Sequence, residues 1–290
     1  MTKLTIISDI HEDIDKYYEQ QGYGPAHDFS ALKDQDFVII CGDISGNTLN
    51  VKRWVNENIS RGVFIMGNHE CYEKSEQYQI DFKQGAQRWL GSQFDGSNGI
   101  KYLENNIHIV EDIVFVGCTL YTDFNLYNPT GDPKRQKDYM NIVQSGLNDF
   151  RHVMCENNGN LERVTADKYL EWHNESIAYI EKICQEYPDK KIVIVSHHAP
   201  SKKSIAPQFQ YGMESRYNAG YASNLEWLIK KYKNIKLFCH GHVHCDNSYK
   251  IGQCRVISHP FGYHNENNRN MKKFGNRKKC LGYIIDTEKL

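Results

Sequence analysis

The chain lacks a CxxC pair, an apolar run of membrane-spanning length, a low-complexity segment and an excess of charge of one sign. Its nine cysteines, an odd number, follow no regular spacing. That is the usage of a reducing compartment, where cysteine serves as a small buried apolar residue. Cys41, Cys118, Cys184 and Cys239 lie in or beside apolar runs, as that reading requires. Without a long apolar stretch no membrane helix is expected. The opening "MTKLTIISDI" reads as a strand rather than a signal peptide, so the expected location is cytoplasmic. With 35 basic and 36 acidic residues the formal charge is -1, which gives no global attraction to nucleic acid or anionic lipid.

What is present is the composition of a soluble globular protein, 40% hydrophobic and 24% charged over 290 residues. No repeat and no Pro/Gly linker divides it, so residues 1–290 read as one domain. Short β-branched runs predict buried strands: "KLTIIS", "DFVIIC", "GVFIMG", "NIHIVEDIVFVGCT", "KKIVIVS", "NIKLFC", "SYKIGQCRVIS" and "LGYIID". "NVKRWVNENI", "TADKYLEWHNESIAYIEKICQEY" (with Thr165 as N-cap) and "SNLEWLIKKY" read as helices between them. The alternation predicts an α/β layered fold whose last two or three strands are antiparallel. Residues 121–164 are polar and long for a connection, and are expected to form a lid-like insertion within the domain. Its aromatics Tyr121, Phe124, Tyr127 and Tyr139 would form a small core of their own, or else stack on a base.

The predicted strands end in an unusual way. "SDIHED" gives Asp9 and His11, "CGDISG" gives Asp43, and "MGNHE" gives Asn68 and His69. "VSHHAP" adds His197 and His198, and "CHGHVHC" adds His240, His242 and His244. Each alone is weak, since a lone histidine is usually a satisfied core or surface residue and Gly-Asp after a strand is ordinary turn chemistry. Together they place five metal-capable strand ends in one chain, where an open α/β sheet binds ligands. Burying several unpaired Asp and His groups in one place costs several kcal/mol per ion, and a bound dication removes the conflict.

The ordered set "DIH … GD … GNHE … HHAP … GHVH" resembles the calcineurin-like metallophosphoesterases, over residues 9 to 244. The resemblance implies a two-sheet β sandwich flanked by helices, in four layers αββα. It implies two divalent ions, among manganese, iron, zinc or nickel, with manganese preferred. Asp9, His11, Asp43 and His244 would hold one ion; Asp43, Asn68, His197 and His242 would hold the other, with Asp43 bridging. Either imidazole of "SHHAP" suits the motif, and the family's His-x-x-Pro form points to His197. His240 falls one residue out of step and is assigned a structural place, while Glu70 is assigned no chemistry. The implied reaction is hydrolysis of a phosphate mono- or diester by a metal-bridging hydroxide, with His69 as the catalytic residue that protonates the leaving group.

For the substrate the resemblance points to small or nucleotide-like phosphoesters, closest to bacterial, broadly acting members. A nuclease or cyclic-nucleotide phosphodiesterase is the alternative. A protein phosphatase is disfavoured, because the Asp-Arg-Gly that those enzymes carry after the second motif is "GDISGN" here. A non-catalytic scaffold ranks last, since every expected position is filled. Arg151 in "LNDFRHV", beside Asn148 and Asp149, is a candidate phosphate clamp together with His198, against the ordinary reading of a solvent-facing arginine. The basic run at 269–279 could attract a polyanion, or be a solvated loop.

Overall fold

The computed structural model describes residues 2–23, 27–72, 82–263 and 282–290. Its first sheet has five strands. β1 (Lys3–Ile7), β2 (Phe37–Cys41), β3 (Gly62–Ile65) and β4 (Ile100–Tyr102) run parallel, with β13 (Tyr283–Asp286) antiparallel at the β1 edge. The second sheet has six. β6 (Ile113–Cys118), β9 (Lys191–Ser196), β10 (Ile235–His240) and β12 (Cys254–Ser258) are parallel neighbours, edged by antiparallel β5 (Asn106–Val110) and β11 (Asn247–Ile251).

The central strands are largely apolar because both of their faces are covered. In β2, Phe37, Ile39 and Cys41 turn into the layer between the sheets, while Val38 and Ile40 turn outward. In β9, Val193 and Val195 meet that same inter-sheet layer, and Ile192 and Ile194 face the other way. Outside the first sheet lie helices α1 (Glu12–Gln20), α2 (Thr48–Asn58) and α3 (Lys83–Gln93); outside the second lie α6 (Ala166–Glu186) and α7 (Glu226–Lys231). This is the expected four-layer αββα sandwich. Thr165 caps α6, its side chain accepting from the Lys168 N–H at 3.3 Å. The antiparallel expectation for the last strands holds for β11 and β13, while β12 is parallel to β10.

Residues 121–164 contain α4 (Pro133–Gly146), the single turn α5 (Asp149–His152) and the hairpin β7 (Met154–Asn157)–β8 (Asn160–Arg163). The separate small core expected of this region is not what forms. Tyr121, Phe124, Tyr139, Met140, Val143 and Phe150 join the same cluster as Ile40, Phe64 and Trp54 under the first sheet. The reason is area: a segment with so few large apolar residues buries more surface against an existing core than against itself. The basic run at 269–279 lies outside the described residues.

Phe124 is fully buried in that shared cluster. Phe124→Ala should therefore cost about 3–5 kcal/mol, read as a lower denaturant midpoint in one cooperative transition. A second, earlier transition confined to part of the protein would show that the region folds separately.

Candidate metal centre

The loops leaving β1, β2, β3, β9 and β10 meet at one end of the sandwich, and hydrogen bonds stitch them together. Asp9 N–H donates to Gly42 O at 3.0 Å, and His11 N–H to Asp43 O at 3.0 Å. Within the second sheet, Gly241 N–H donates to His197 O at 3.0 Å, and across the sheets the His242 N–H reaches both Asp9 carboxylate oxygens at 2.9 and 3.1 Å. His197 Nδ1 donates to Cys41 O at 2.8 Å, which turns its Nε2 toward the centre. The packing leaves no room for side chains at two glycines. A Cβ on Gly67 would overlap Asp43 Oδ1, and one on Gly241 would sit 2.6 Å from Asp9 Oδ2. The glycines of "GNH" and "GHVH" are close-approach positions.

Asp9, His11, Asp43, His242 and His244 all adopt left-handed backbone, with φ of 51°, 46°, 55°, 68° and 42°. Non-glycine residues rarely do so, and such strain collects at functional sites. The side chains it aims converge. Asp9, His11 and His244 form one set of donors within 4.8 Å of one another, and Asp43, His197 and His242 form another. In the first set, His11 Nε2 lies 3.2 Å from His244 Nε2, and His244 Nε2 lies 3.4 Å from Asp9 Oδ1. In the second, His197 Nε2 lies 2.8 Å from Asn68 Oδ1 and 3.1 Å from His242 Nδ1. Asp43 Oδ2 faces both sets, 3.8 Å from His11 Nε2 and 3.4 Å from His197 Nε2. Donors about 2.0–2.2 Å from a shared cation stand about 2.8–3.6 Å apart in octahedral or tetrahedral arrangement, which all of these separations match except the 3.8 Å between Asp43 and His11.

The electrostatics fit as well. Asp9 and Asp43 are almost wholly buried, and among the described residues only imidazoles pair with them. Burial works against both carboxylates, yet the neighbouring histidines outweigh it. His244 lowers the Asp9 acid, and His197 and His69 hold Asp43 well below the usual carboxylate range. Burial pushes His11 down to about 3 and His242 well below its ordinary value, so both are neutral, the form that binds metal. Burial also opposes charge on His197, but the Asp43 carboxylate raises it to about 9. A protonated His197 offsets the Asp43 charge and Asp9 stands 3.4 Å from the His244 imidazole, so a divalent ion among them would take the place of the His197 proton.

The remaining predicted residues divide. His69 stands at the margin of the centre. Its backbone N–H donates to Asp43 Oδ1 at 2.9 Å, its Nε2 lies 3.1 Å from the Tyr263 hydroxyl, and its ring stacks on Tyr72 at 4.1 Å. His198 turns away from both donor sets, with Nδ1 donating to Thr119 O at 3.1 Å, so His197 is the imidazole of "SHHAP" that joins them. His240 is structural, its Nε2 2.9 Å from Ser204 Oγ. Arg151 is exposed, its guanidinium within 3.5 Å of Asn148 Oδ1 and 3.4 Å of Ser145 O in its own segment.

Three further residues belong to the site, two of them, Asp149 and Tyr263, without a motif in their local sequence. Asp149 accepts from Asn68 Nδ2 at 2.7 Å and from the Tyr72 hydroxyl, and Tyr263 packs on the rings of His11 and His244 at 4.5 and 4.9 Å. Glu70, given no chemistry by its motif, ties two of the loops together. One carboxylate oxygen accepts from Ile44 N–H and the other from Gly67 N–H, each at 2.7 Å. Burial and the Asp43 charge push its acid up to about 8, while the two N–H donors favour the ionised form.

The model of a family described as calcineurin-like phosphoesterase matches residues 2–246. An uncharacterized protein of Acanthamoeba polyphaga mimivirus is 24% identical over 280 residues, covering 92% of this chain and 94% of its own. Among solved structures, the phosphopantetheinyl hydrolase of Mycobacterium tuberculosis is similar in fold. It superposes with a TM-score of 0.67 at 15% identity, over 95% of this chain and 93% of its own.

Removing the Glu70 carboxylate leaves two buried N–H groups without acceptors. Glu70→Ala should lose about 2–5 kcal/mol, from about 1–3 per unsatisfied group, and Glu70→Gln, which keeps one acceptor, should lose less. Thermal melts check the order; equal stability of both variants with the parent would remove the clamp.

Proposed function

The chain belongs to the calcineurin-like phosphoesterase family, and from that premise we propose that it hydrolyses small or nucleotide-like phosphate mono- or diesters, using two divalent metal ions. The observation that carries this reading is the Asp43 carboxylate oxygen, which faces His11 on one side and His197 on the other. Asp9, His11 and His244 with Asp43 would hold one ion, and Asn68, His197 and His242 with Asp43 the other. Bound divalent ions polarise phosphoryl oxygens and make water acidic enough to act near neutral pH. The oxygen and imidazole donors, with no thiolate, suit manganese, iron, zinc or nickel, and manganese is the first choice.

The chain's own residues do the rest. The buried imidazoles hold their lone pairs ready, and His197 releases its proton when it becomes a ligand. His69 meets the substrate: its ring is held between Tyr72 and His11, at 4.1 and 4.6 Å, which fixes its plane. From there it protonates the leaving alkoxide or stabilises the charge that develops on it. The near-neutral charge and the "GDISGN" sequence support small substrates over nucleic acid or phosphoprotein. Seven of the eight described cysteines are buried, which supports a reducing, cytoplasmic setting. Among the described residues no helix is long and apolar enough to cross a membrane.

A panel of a phosphomonoester, a phosphodiester, a cyclic nucleotide and single-stranded DNA, each with added manganese, tests the reading. Turnover of the small esters should exceed that of the strand; the reverse order would make the protein a nuclease, and no turnover of any would sink the hydrolase. His69→Ala should keep its metal and lose about 10²–10⁴-fold in turnover. Asp43→Ala should lose metal and turnover together. Metal loss in the His69 variant equal to that of the Asp43 variant would make His69 a ligand instead.

A further inference from the structure

Asn68 is the one neutral amide in the donor sets, and its two ends are chemically opposite. Its Oδ1 lies 2.8 Å from His197 Nε2, inside the centre. Its Nδ2 lies 2.7 Å from Asp149 Oδ1 and 3.0 Å from the Tyr72 hydroxyl oxygen. Turned over about its last bond, the same amide would aim two N–H donors at the cation site. The shape of asparagine does not choose between these states, because its oxygen and nitrogen ends are nearly isosteric.

Asp149 does choose. An ionised carboxylate is an acceptor only, so it can face the amide nitrogen and not the amide oxygen. It is almost fully buried, which keeps water from substituting for it. The Tyr72 hydroxyl donates to the same Asp149 oxygen and thereby accepts from Asn68 Nδ2, so every hydrogen in this three-residue ring has one place to go. Asp149 lies 81 residues from Asn68, on the turn α5. His152 on that same turn also stacks on the Tyr72 ring, at 5.1 Å.

We infer that Asp149 is a positioning residue that locks the Asn68 carboxamide with its oxygen toward the metal centre, and holds Tyr72 in place beneath His69. The inference rests on the metallophosphoesterase reading of the site. It gives residues 121–164 a part in building the centre.

The test compares manganese content after dialysis and manganese affinity by calorimetry in the parent, Asp149→Ala, Asp149→Asn and the exchange Asn68→Asp/Asp149→Asn. The parent should hold about two ions. Asp149→Ala should bind one of them about 10–100-fold more weakly, leaving one ion after dialysis. A carboxylate at position 68 carries an oxygen on both branches and needs no orienting, and an amide at position 149 can donate to it. The exchange should therefore regain most of the lost affinity, which a purely structural role for Asp149 does not predict. If Asp149→Ala fails to fold, Asp149→Asn, which keeps the shape, is compared with the exchange in the same way. Two ions bound at parental affinity in Asp149→Ala, or an exchange no better than Asp149→Asn, would overturn the inference alone. A parent that binds no divalent ion would instead overturn the phosphoesterase reading.

Discussion

The structure is organised around two carboxylates held ionised in the interior by the imidazoles beside them. Asp9 and Asp43 are buried, and the groups that meet them among the described residues are imidazoles, backbone N–H groups and the Ser8 hydroxyl. Removing an ion from water costs several kcal/mol even after relaxation, and a lysine or arginine would have met that cost with no further chemistry. Imidazoles meet it only in part, because burial drives most of them neutral. Neutral imidazoles beside ionised carboxylates form a ligand set rather than a set of ion pairs. Neither sheet contains that set alone. The first contributes both carboxylates, His11 and Asn68; the second contributes His197, His242 and His244. The apolar layer between the sheets, with Cys41 and Cys239 near the rim, therefore also fixes the distance across the centre.

The loops that carry these groups are strained, and the strain has a geometric reason. A strand aims consecutive side chains to opposite faces, so a straight continuation would send half of the donors into the core. Left-handed residues two to four positions beyond the strand fold the chain back and turn the donor across the rim. Five donors use this device, at about 1–3 kcal/mol each. The opposing stabilisation comes from the same residues. The Asp9, His11 and His242 N–H groups all donate across to neighbouring loops, and Glu70 satisfies two further N–H groups between the second and third loops.

Much of this is legible in the sequence, because uninterrupted β-branched runs mark strands covered on both faces, and the polar residues directly after each run mark the rim. Asp9, His11, Asp43, Asn68, His197, His242 and His244 are all reached that way. The illegible part depends on contacts distant in the chain. Asp149 meets Tyr72 from 77 residues away and Tyr263 meets His69 from 194 away, and neither carries a local pattern. α1 is hard to read because the residues it buries are the acidic Glu12 and Asp15 rather than the apolar Ile14, Tyr17 and Tyr18, while Glu12, Asp13 and Asp15 in its first turn suit a helix N-terminus. The region 121–164 looks self-contained in sequence because polarity along the chain conceals where its few large apolar residues go.

Asp43 shows why substrate contact and metal contact are hard to separate in this architecture. Its Oδ2 serves the two donor sets, while its Oδ1 accepts the His69 N–H at 2.9 Å. One carboxylate thus sets both the separation of the donor sets and the position of His69 at their margin. His69 is in turn stacked on Tyr72, which bonds to Asp149, which orients Asn68, which faces His197 and so returns to Asp43. A closed circuit of this kind has few independent adjustments, since moving one member displaces the next. The exposed Arg151, two residues from Asp149, lies outside that circuit.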